Sequence, residues 1–256
     1  DTTFGGLPRT SELNIQKQTP ATNDATIEWS FQPEPGLALR GQCERGRATP
    51  QRTAVLLNLD GAAAARKSPL ADQLRAAGWN LVTLDLRATG ELAWPNDAIM
   101  RAPDHNSAQW SMWIGRPLLG QWVNDVQRLL ESLPGAIGPD YGPVTVIGEG
   151  PAGLVAFCAA AADDRRRIAQ VAAVGTLASY ISDVPYQSQR VGIMAPGIVR
   201  DVGDVPHLAA LALPRRVVIA GGVTGGGTVL SEAELHSSYA VTRDIAKTMD
   251  VPAAVV

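Results

Sequence analysis

Histidine, cysteine and aromatic side chains are scarce in this chain: three His, two Cys and 5% aromatic residues among 256. Three histidines leave few candidates for a general base. None stands at a metal-binding spacing such as H-x₃-H or C-x₂-C, so neither a metal nor a cofactor is expected. Two cysteines cannot build a disulfide framework. Cys43 falls near the end of an N-terminal strand and Cys158 within an apolar helix, which suits buried thiols, while a secreted setting permits a bridge. The formal charge is only −3 and no basic run is present, so no nucleic-acid footprint is expected. No apolar stretch approaches ~20 residues, so no membrane span is expected either. Asp1 opens the chain without an initiator Met or a signal-peptide pattern, as expected of a processed or excised piece.

What the chain does hold is apolar surface. At 45% hydrophobic it has enough for a full α/β core in one domain. Residues 1–23 are polar, turn-rich and weakly periodic and read as an extended arm; 24–256 read as a single domain. Residues 25–31 and 37–43 read as a hairpin about Pro33-Glu34-Pro35-Gly36. An apolar strand over 52–59 ends at Asp60-Gly61. Ser68 as N-cap and Pro69 at the first helical position start a helix that Gly78 ends. Residues 79–86 are apolar on both faces, as a central parallel strand requires. Residues 87–115 form a long insertion without clear periodicity, the length expected of a functional or lid-like loop. An amphipathic helix runs over 117–133, and strands follow at 144–147, 168–174 and 215–220. Residues 175–203 are irregular and form a second candidate lid, 205–213 a short helix, and 221–227 a flexible glycine loop. Ser231-Glu232-Ala233-Glu234 is a capping box that opens a last helix to Met249. Residues 251–256 begin a final strand. This order predicts an α/β fold with a doubly wound, mostly parallel sheet after an N-terminal antiparallel hairpin.

The organising stretch is Val144-Thr145-Val146-Ile147-Gly148-Glu149-Gly150-Pro151-Ala152-Gly153, an apolar strand, a tight glycine turn and the start of a helix. Two site types use that layout. Gly148, Gly150 and Gly153 match the dinucleotide fingerprint G-x-G-x-x-G, which sets a pyrophosphate on a helix N-terminus. Against it, no acidic residue follows at about 20 residues to hold a ribose hydroxyl, and two parallel strands precede the turn. The nucleophile elbow G-x-S-x-G of α/β-hydrolases fits the element order better, with Gly148-Glu149-Gly150-Pro151-Ala152 in its five positions. Gly150 then stands where the serine would be. The acid seat, in 221–230, holds no Asp or Glu, and no histidine follows His236, which lies within the last helix. No catalytic residue is therefore assigned.

With these motifs placed, the chain resembles the large secreted bacterial acetyl xylan esterase-like α/β-hydrolases, in particular the degenerate second domain of the two-domain form. The carrying segments are Thr2-Thr3-Phe4-Gly5-Gly6, Ser68-Pro69-Leu70, Ala76-Ala77-Gly78-Trp79, Asp85-Leu86-Arg87-Ala88-Thr89-Gly90-Glu91 and Asp104-His105-Asn106-Ser107. Further on are Trp113-Ile114-Gly115-Arg116-Pro117-Leu118-Leu119-Gly120-Gln121-Trp122, Ile147-Gly148-Glu149-Gly150 and Ala195-Pro196-Gly197-Ile198-Val199-Arg200. The resemblance implies an α/β-hydrolase fold, a carbohydrate ester as ligand, an upstream hydrolase domain or another subunit as partner, and an extracellular or periplasmic location. Active relatives carry Ser, Asp and His at the three seats, and this chain departs at all of them.

The candidate pocket residues are Glu149, Arg87, Asp104, His105, Trp110, Trp113 and Arg116. Glu149 is expected to point into the old pocket and to pair with Arg87 or Arg116. His105 and Arg116 are expected to tie the 87–115 loop to the elbow. Trp110 and Trp113 offer faces for a sugar ring, whereas Trp122 is expected in the core. A Ser-His-Asp site from Asp104, His105, Ser107 and Ser111 is disfavoured, because triads converge from separate elements. Asp183 reads as a turn residue, His207 and His236 as isolated, and Asp163-Asp164-Arg165-Arg166-Arg167 as the solvated end of a helix. Two alternatives stay open: an active ester hydrolase with a non-standard site, and a dinucleotide or flavin at Gly148–Gly153.

Overall fold

In the computed structural model, residues 2–6, 12–18 and 25–255 are described. The strands are β1 (Gln16–Gln18), β2 (Thr26–Glu34), β3 (Leu37–Glu44), β4 (Thr53–Leu57), β5 (Asn80–Leu84), β6 (Val144–Glu149), β7 (Ile168–Leu177) and β8 (Arg216–Val223). The helices are α1 (Ala62–Arg66), α2 (Pro69–Ala76), α3 (His105–Trp113), α4 (Leu118–Ile137), α5 (Ala152–Ala161), α6 (Ile198–Asp201), α7 (Val205–Leu211), α8 (Glu232–Ser238) and α9 (Ala240–Thr248). Among the described residues the strands form one sheet in the order β1-β2-β3-β5-β4-β6-β7-β8. The β1, β2 and β3 pairings are antiparallel, and those from β5 through β8 are parallel. The expected doubly wound sheet with an N-terminal hairpin is what forms.

Every side chain of β4 and β5 is buried, because helices cover both faces there. On one face α4, α5 and α7 close the larger core, around Trp122, Val126, Leu129 and Phe157. On the other, α1 and α2 close a smaller one, around Leu56, Leu74, Leu81 and Ile147. In β2 and β3 burial alternates, as one-sided burial requires. The indole of Trp29 lies over Gly41, where a Cβ would come within 2.4 Å of the ring, and donates to Ser132 Oγ at 3.0 Å.

The Ser68 cap and the Ser231–Glu234 capping box form as expected, and Gly78 takes φ +74° behind α2. Other boundaries moved. The 87–115 insertion contains α3, whose sequence His-Asn-Ser-Ala-Gln-Trp-Ser-Met-Trp has no apolar stripe to announce it. Helix α4 continues past Pro134 to Ile137, since Ala136 and Ile137 bury themselves in the core. The expected last helix is two: Tyr239 turns into the core, whereas no residue of α8 is fully buried and only Leu235 packs against the core, and the chain reorients between them. Residues 252–254 are a 3₁₀ turn, and Val255 alone pairs, parallel to Val217 of β8. The arm is not simply extended. Phe4 packs against the larger core, its backbone close over Gly120, and Gln16–Gln18 adds the edge strand. The rest of the arm (1, 7–11, 19–24) and Val256 lie outside the described residues.

Candidate functional site

Strand β4 connects onward to β5 on one side of the sheet, while β6 connects to β7 on the other, and β4 and β6 are neighbours. Their carboxyl ends therefore flank the switch point of the sheet, where outgoing chains diverge and open sheets place their ligands. A cavity of ≈ 240 Å³ lies there, lined by Asn58 and Asp60 after β4, Pro151 after β6, Arg101 of the first insertion, and Gln189 and Arg190 of the second. A larger cavity of ≈ 420 Å³ lies beside β3 and α1 and is lined by Arg40, Arg66 and Asp85, with no residue of the elbow.

At the elbow itself Gly150 adopts φ +56°, the left-handed region. Its amide donates to Val174 O at 2.8 Å, and its carbonyl accepts from Thr176 Oγ1 at 2.9 Å. The flanking glycines are there for space. A Cβ on Gly148 would stand 2.3 Å from Ala152 O, and one on Gly153 1.8 Å from Thr176 Oγ1. A Cβ on Gly150 would meet nothing within 4 Å. The middle position is thus open outward, with room for a side chain, on the strained strand-to-helix turn that aims a nucleophile. Here it carries hydrogen only. The next residue is Pro151, which has no N–H. In such elbows the amide of that residue is one of the two oxyanion-hole donors, so that donor is missing as well. The same missing amide weakens the helix N-terminus as a pyrophosphate cradle, and the close packing of Gly148 and Gly153 accounts for two of the three glycines.

No family model matches the chain, and no curated protein matches it. Solved structures do. One is a proposed acetyl xylan esterase from Bacteroides fragilis, similar over 98% of this chain and 70% of that one, with TM-score 0.70 and 12% identity. Another is a carbohydrate esterase family 15 glucuronoyl esterase from Caldicellulosiruptor kristjansonii, at TM-score 0.64 and 15% identity over 98% and 74%. A third is the catalytic domain of a glucuronoyl esterase from Hypocrea jecorina, at TM-score 0.60 and 16% identity over 98% and 71%. The fold is that of the α/β-hydrolases.

Within this hydrolase fold the expected pocket residues do not gather into one cluster. Arg87, just beyond β5, is buried and turned toward α4. Its Nε lies 3.0–3.1 Å from both carboxylate oxygens of Asp125, and its backbone amide lies 3.1 Å from Oδ2. It also pairs with Glu34 and donates to Gln121 Oε1 at 2.8 Å. Arg116 reaches the other Glu34 oxygen at 2.8 Å. The expected pairing of Glu149 with Arg87 or Arg116 is therefore wrong: Glu34, on the opposite side of the sheet order, takes both. Glu149 is half-buried, and its Oε2 is buried without a hydrogen-bond partner.

Asp104 is wholly buried and accepts from the backbone amides of Val191 at 2.9 Å and Gly192 at 2.8 Å. Burial pushes its carboxyl above the ordinary aspartate range, against the pull of those two amides. It clasps the 87–115 and 175–203 segments together. His105 contacts only its neighbour among its described hydrogen bonds, Nδ1 lying 3.3 Å from Asn106 Oδ1. Neither His105 nor Arg116 ties the loop to the elbow, contrary to expectation. Trp110 and Trp113 are 47% and 72% exposed on α3. Trp122 is core, as expected, its indole donating to Arg87 O at 2.8 Å.

Elsewhere, Asp183 is an exposed bend, and His207 accepts from Asp204 N at 3.1 Å in the cap of α7. His236 Nδ1 lies 3.1 Å from Arg243 Nη2. Asp163 corrects another expectation: far from solvated, it is buried, accepts from Ile168 N at 2.8 Å and pairs with Arg167. Cys43 and Cys158 are both free and buried. Among the described residues no group of His, Cys, Asp and Glu is placed to hold a metal, and no helix is long and apolar enough to cross a membrane. Sequence reasoning missed Asp125 and Glu34, whose roles depend on tertiary partners. It also passed over Pro151, whose missing amide is legible in the letters alone.

Proposed function

We propose that residues 24–256 form a catalytically silent domain of the acetyl xylan esterase-like kind, attached by the arm of residues 1–23. It supports or extends an esterase domain that carries the chemistry, upstream on the same polypeptide or on another subunit. The observation that carries the reading is the pair Gly150–Pro151: the elbow keeps its backbone and lacks both the hydroxyl and the adjoining oxyanion donor. Loss of a serine triad costs about 10⁶ in turnover, roughly 8 kcal/mol of barrier, and loss of one oxyanion donor costs about 10²–10³. The names of the similar structures, acetyl xylan and glucuronoyl esterases, support a carbohydrate ester as ligand class. A polymeric substrate of that kind in turn supports an extracellular or periplasmic location.

The test is an esterase assay of the purified chain with p-nitrophenyl acetate, acetylated xylan and a methyl glucuronoyl ester. Background rates are expected on all three. Turnover that His105→Ala or Glu149→Ala abolishes at unchanged melting temperature overturns the reading in favour of an active ester hydrolase with a non-standard site. The supporting role is read from a full-length protein carrying the esterase domain: deleting residues 24–256 should lower its melting temperature or raise KM on polymer. An unchanged enzyme refutes that role.

A further inference from the structure

We propose that the crevice beside the elbow binds a small hydroxylated carboxylate, gripped by the guanidinium groups of Arg101 and Arg190. The inference rests on the silent-domain reading and deepens it: such a pocket holds a ligand without turning it over. Four observations converge. The cavity occupies the switch point between β4 and β6, the general ligand position of open α/β sheets. Two arginines line it, one from each insertion, and Arg101 Nη1 donates to Gln187 Oε1 at 2.6 Å, which leaves its other nitrogens for a ligand. The side chain of Arg190 is only 12% exposed, and it pairs through one nitrogen, Nη2, with an Asp60 that is 75% exposed. A guanidinium so far withdrawn from water, bonded through one nitrogen to a solvent-screened carboxylate and set near the buried Asp104, keeps donors for a further anion. Last, Gln189 lines the same cavity and its Oε1 is buried with no hydrogen-bond partner. A buried acceptor of that kind calls for a donor, which a ligand hydroxyl supplies.

The donor and acceptor pattern selects the ligand class. A neutral sugar satisfies Gln189 Oε1 but brings no charge to Arg101 and Arg190. Inorganic phosphate satisfies the arginines but carries its P–OH donors on the anionic centre itself, so a hydroxyl turned to Gln189 Oε1 is taken from the group that meets the arginines. A carboxylate with adjacent hydroxyls meets both demands. Asn58 Oδ1 is engaged by Asp60 N at 2.9 Å, which turns the amide nitrogen of Asn58 to a donor role at the same rim. Leu59, Pro103 and Pro151 add apolar surface, and Ser188 also lines the cavity. At ≈ 240 Å³ the space suits one small unit and falls short of the ~300–1,000 Å³ typical of drug-sized ligands.

The test is isothermal titration of the whole chain at low salt with sodium glucuronate, sodium tartrate, glucose and inorganic phosphate. Glucuronate or tartrate is expected to bind at least about tenfold more tightly than glucose or phosphate, with affinity falling as salt rises. The preferred of the two tells a ring-borne carboxylate from an acyclic one. Arg101→Gln, at an exposed position, is expected to weaken binding about tenfold at unchanged melting temperature, and Arg190→Gln to do at least as much. No binding of either carboxylate, equal binding of glucose, tighter binding of phosphate, or indifference to both substitutions each overturns the proposal. The esterase assay on the same samples separates the two readings. Turnover with the binding pattern intact removes the silent reading alone, whereas background rates without binding remove the pocket alone.

Discussion

The hydroxyl of Thr176 on β7 donates to the carbonyl oxygen of Gly150 across 2.9 Å, and the same hydroxyl fills the space a side chain at Gly153 would need. One side chain thus sets both the pose of the elbow and the tolerance of its neighbours. Gly150→Ser should fold, because its Cβ meets nothing within 4 Å, at a cost of about 1–2 kcal/mol for a non-glycine residue in the left-handed region. It should remain without esterase turnover, since neither an imidazole partner nor the amide of residue 151 is restored. Gly153→Ala should cost about 1–3 kcal/mol or more by overpacking against Thr176. Urea unfolding of the two variants, with an aryl-ester assay on the first, decides. Robust turnover in Gly150→Ser would mean that a base waits at the elbow after all.

Glu34 joins Arg87 and Arg116, and so couples the hairpin to the chain that follows β5 and to the start of α4. Burial by itself would raise its carboxyl, but the Arg116 and Arg87 guanidinium groups outweigh burial and hold it below the usual value of 4.5. The sign follows from a folded pKa that lies below the unfolded one. The contribution is complete above pH ~4.5 and is lost as the pH falls through the lowered value. Glu34→Gln should therefore lose on the order of 1–3 kcal/mol at pH 7. The gap between its unfolding midpoint and that of the parent chain should narrow as the pH falls below 4.5. A gap that does not narrow below that pH contradicts the assignment.

How much of the fold and of the site is legible in the sequence depends on whether the signal is local. The alternation in β2 and β3, the mostly apolar β4 and β5, the Ser68 and Ser231 caps and the glycine turn after β6 are local, and they place the sheet and the elbow correctly. Helix α3 is hidden because its residues lack an apolar stripe, and Pro134 suggests a stop that the burial of Ala136 and Ile137 overrides. The charged pairs are the least legible. Arg87 and Arg116 have plausible partners nearby in sequence, but Glu34 reaches them only because the hairpin folds back beside α4. In the sequence Asp163 reads as a solvated acid and Asp104 as a pocket acid. Both are buried because backbone amides, of Ile168 for one and of Val191 and Gly192 for the other, come to them in the folded chain.

Burial pushes the thiol of Cys43 up to about 11 and that of Cys158 up to about 12. Thiolate, the reactive form, is then negligible at pH 8. Ellman's reagent should report no reaction with the folded chain over an hour at pH 8 and two thiols once guanidinium chloride unfolds it. One fast thiol in the folded state would show that a core around Cys43 or Cys158 opens readily.

The clasp between the 87–115 and 175–203 segments rests on Asp104 and on the absence of a side chain at Gly192. A Cβ at Gly192 would stand 2.8 Å from Asp104 Oδ2 and 2.5 Å from the ring of Trp122. Gly192→Ala should therefore push the 175–203 segment away from the 87–115 insertion, and Asp104→Ala should leave the Val191 and Gly192 amides buried and unpaired, at about 1–3 kcal/mol each. Because Arg190 immediately precedes the clasped pair, both changes should displace it from the crevice as well. Limited proteolysis should then cut sooner within 181–190, where exposed residues already predominate. If both variants resist protease as the parent does, the two segments are held by packing around Ile193 and Trp122, and the carboxylate is dispensable for holding them.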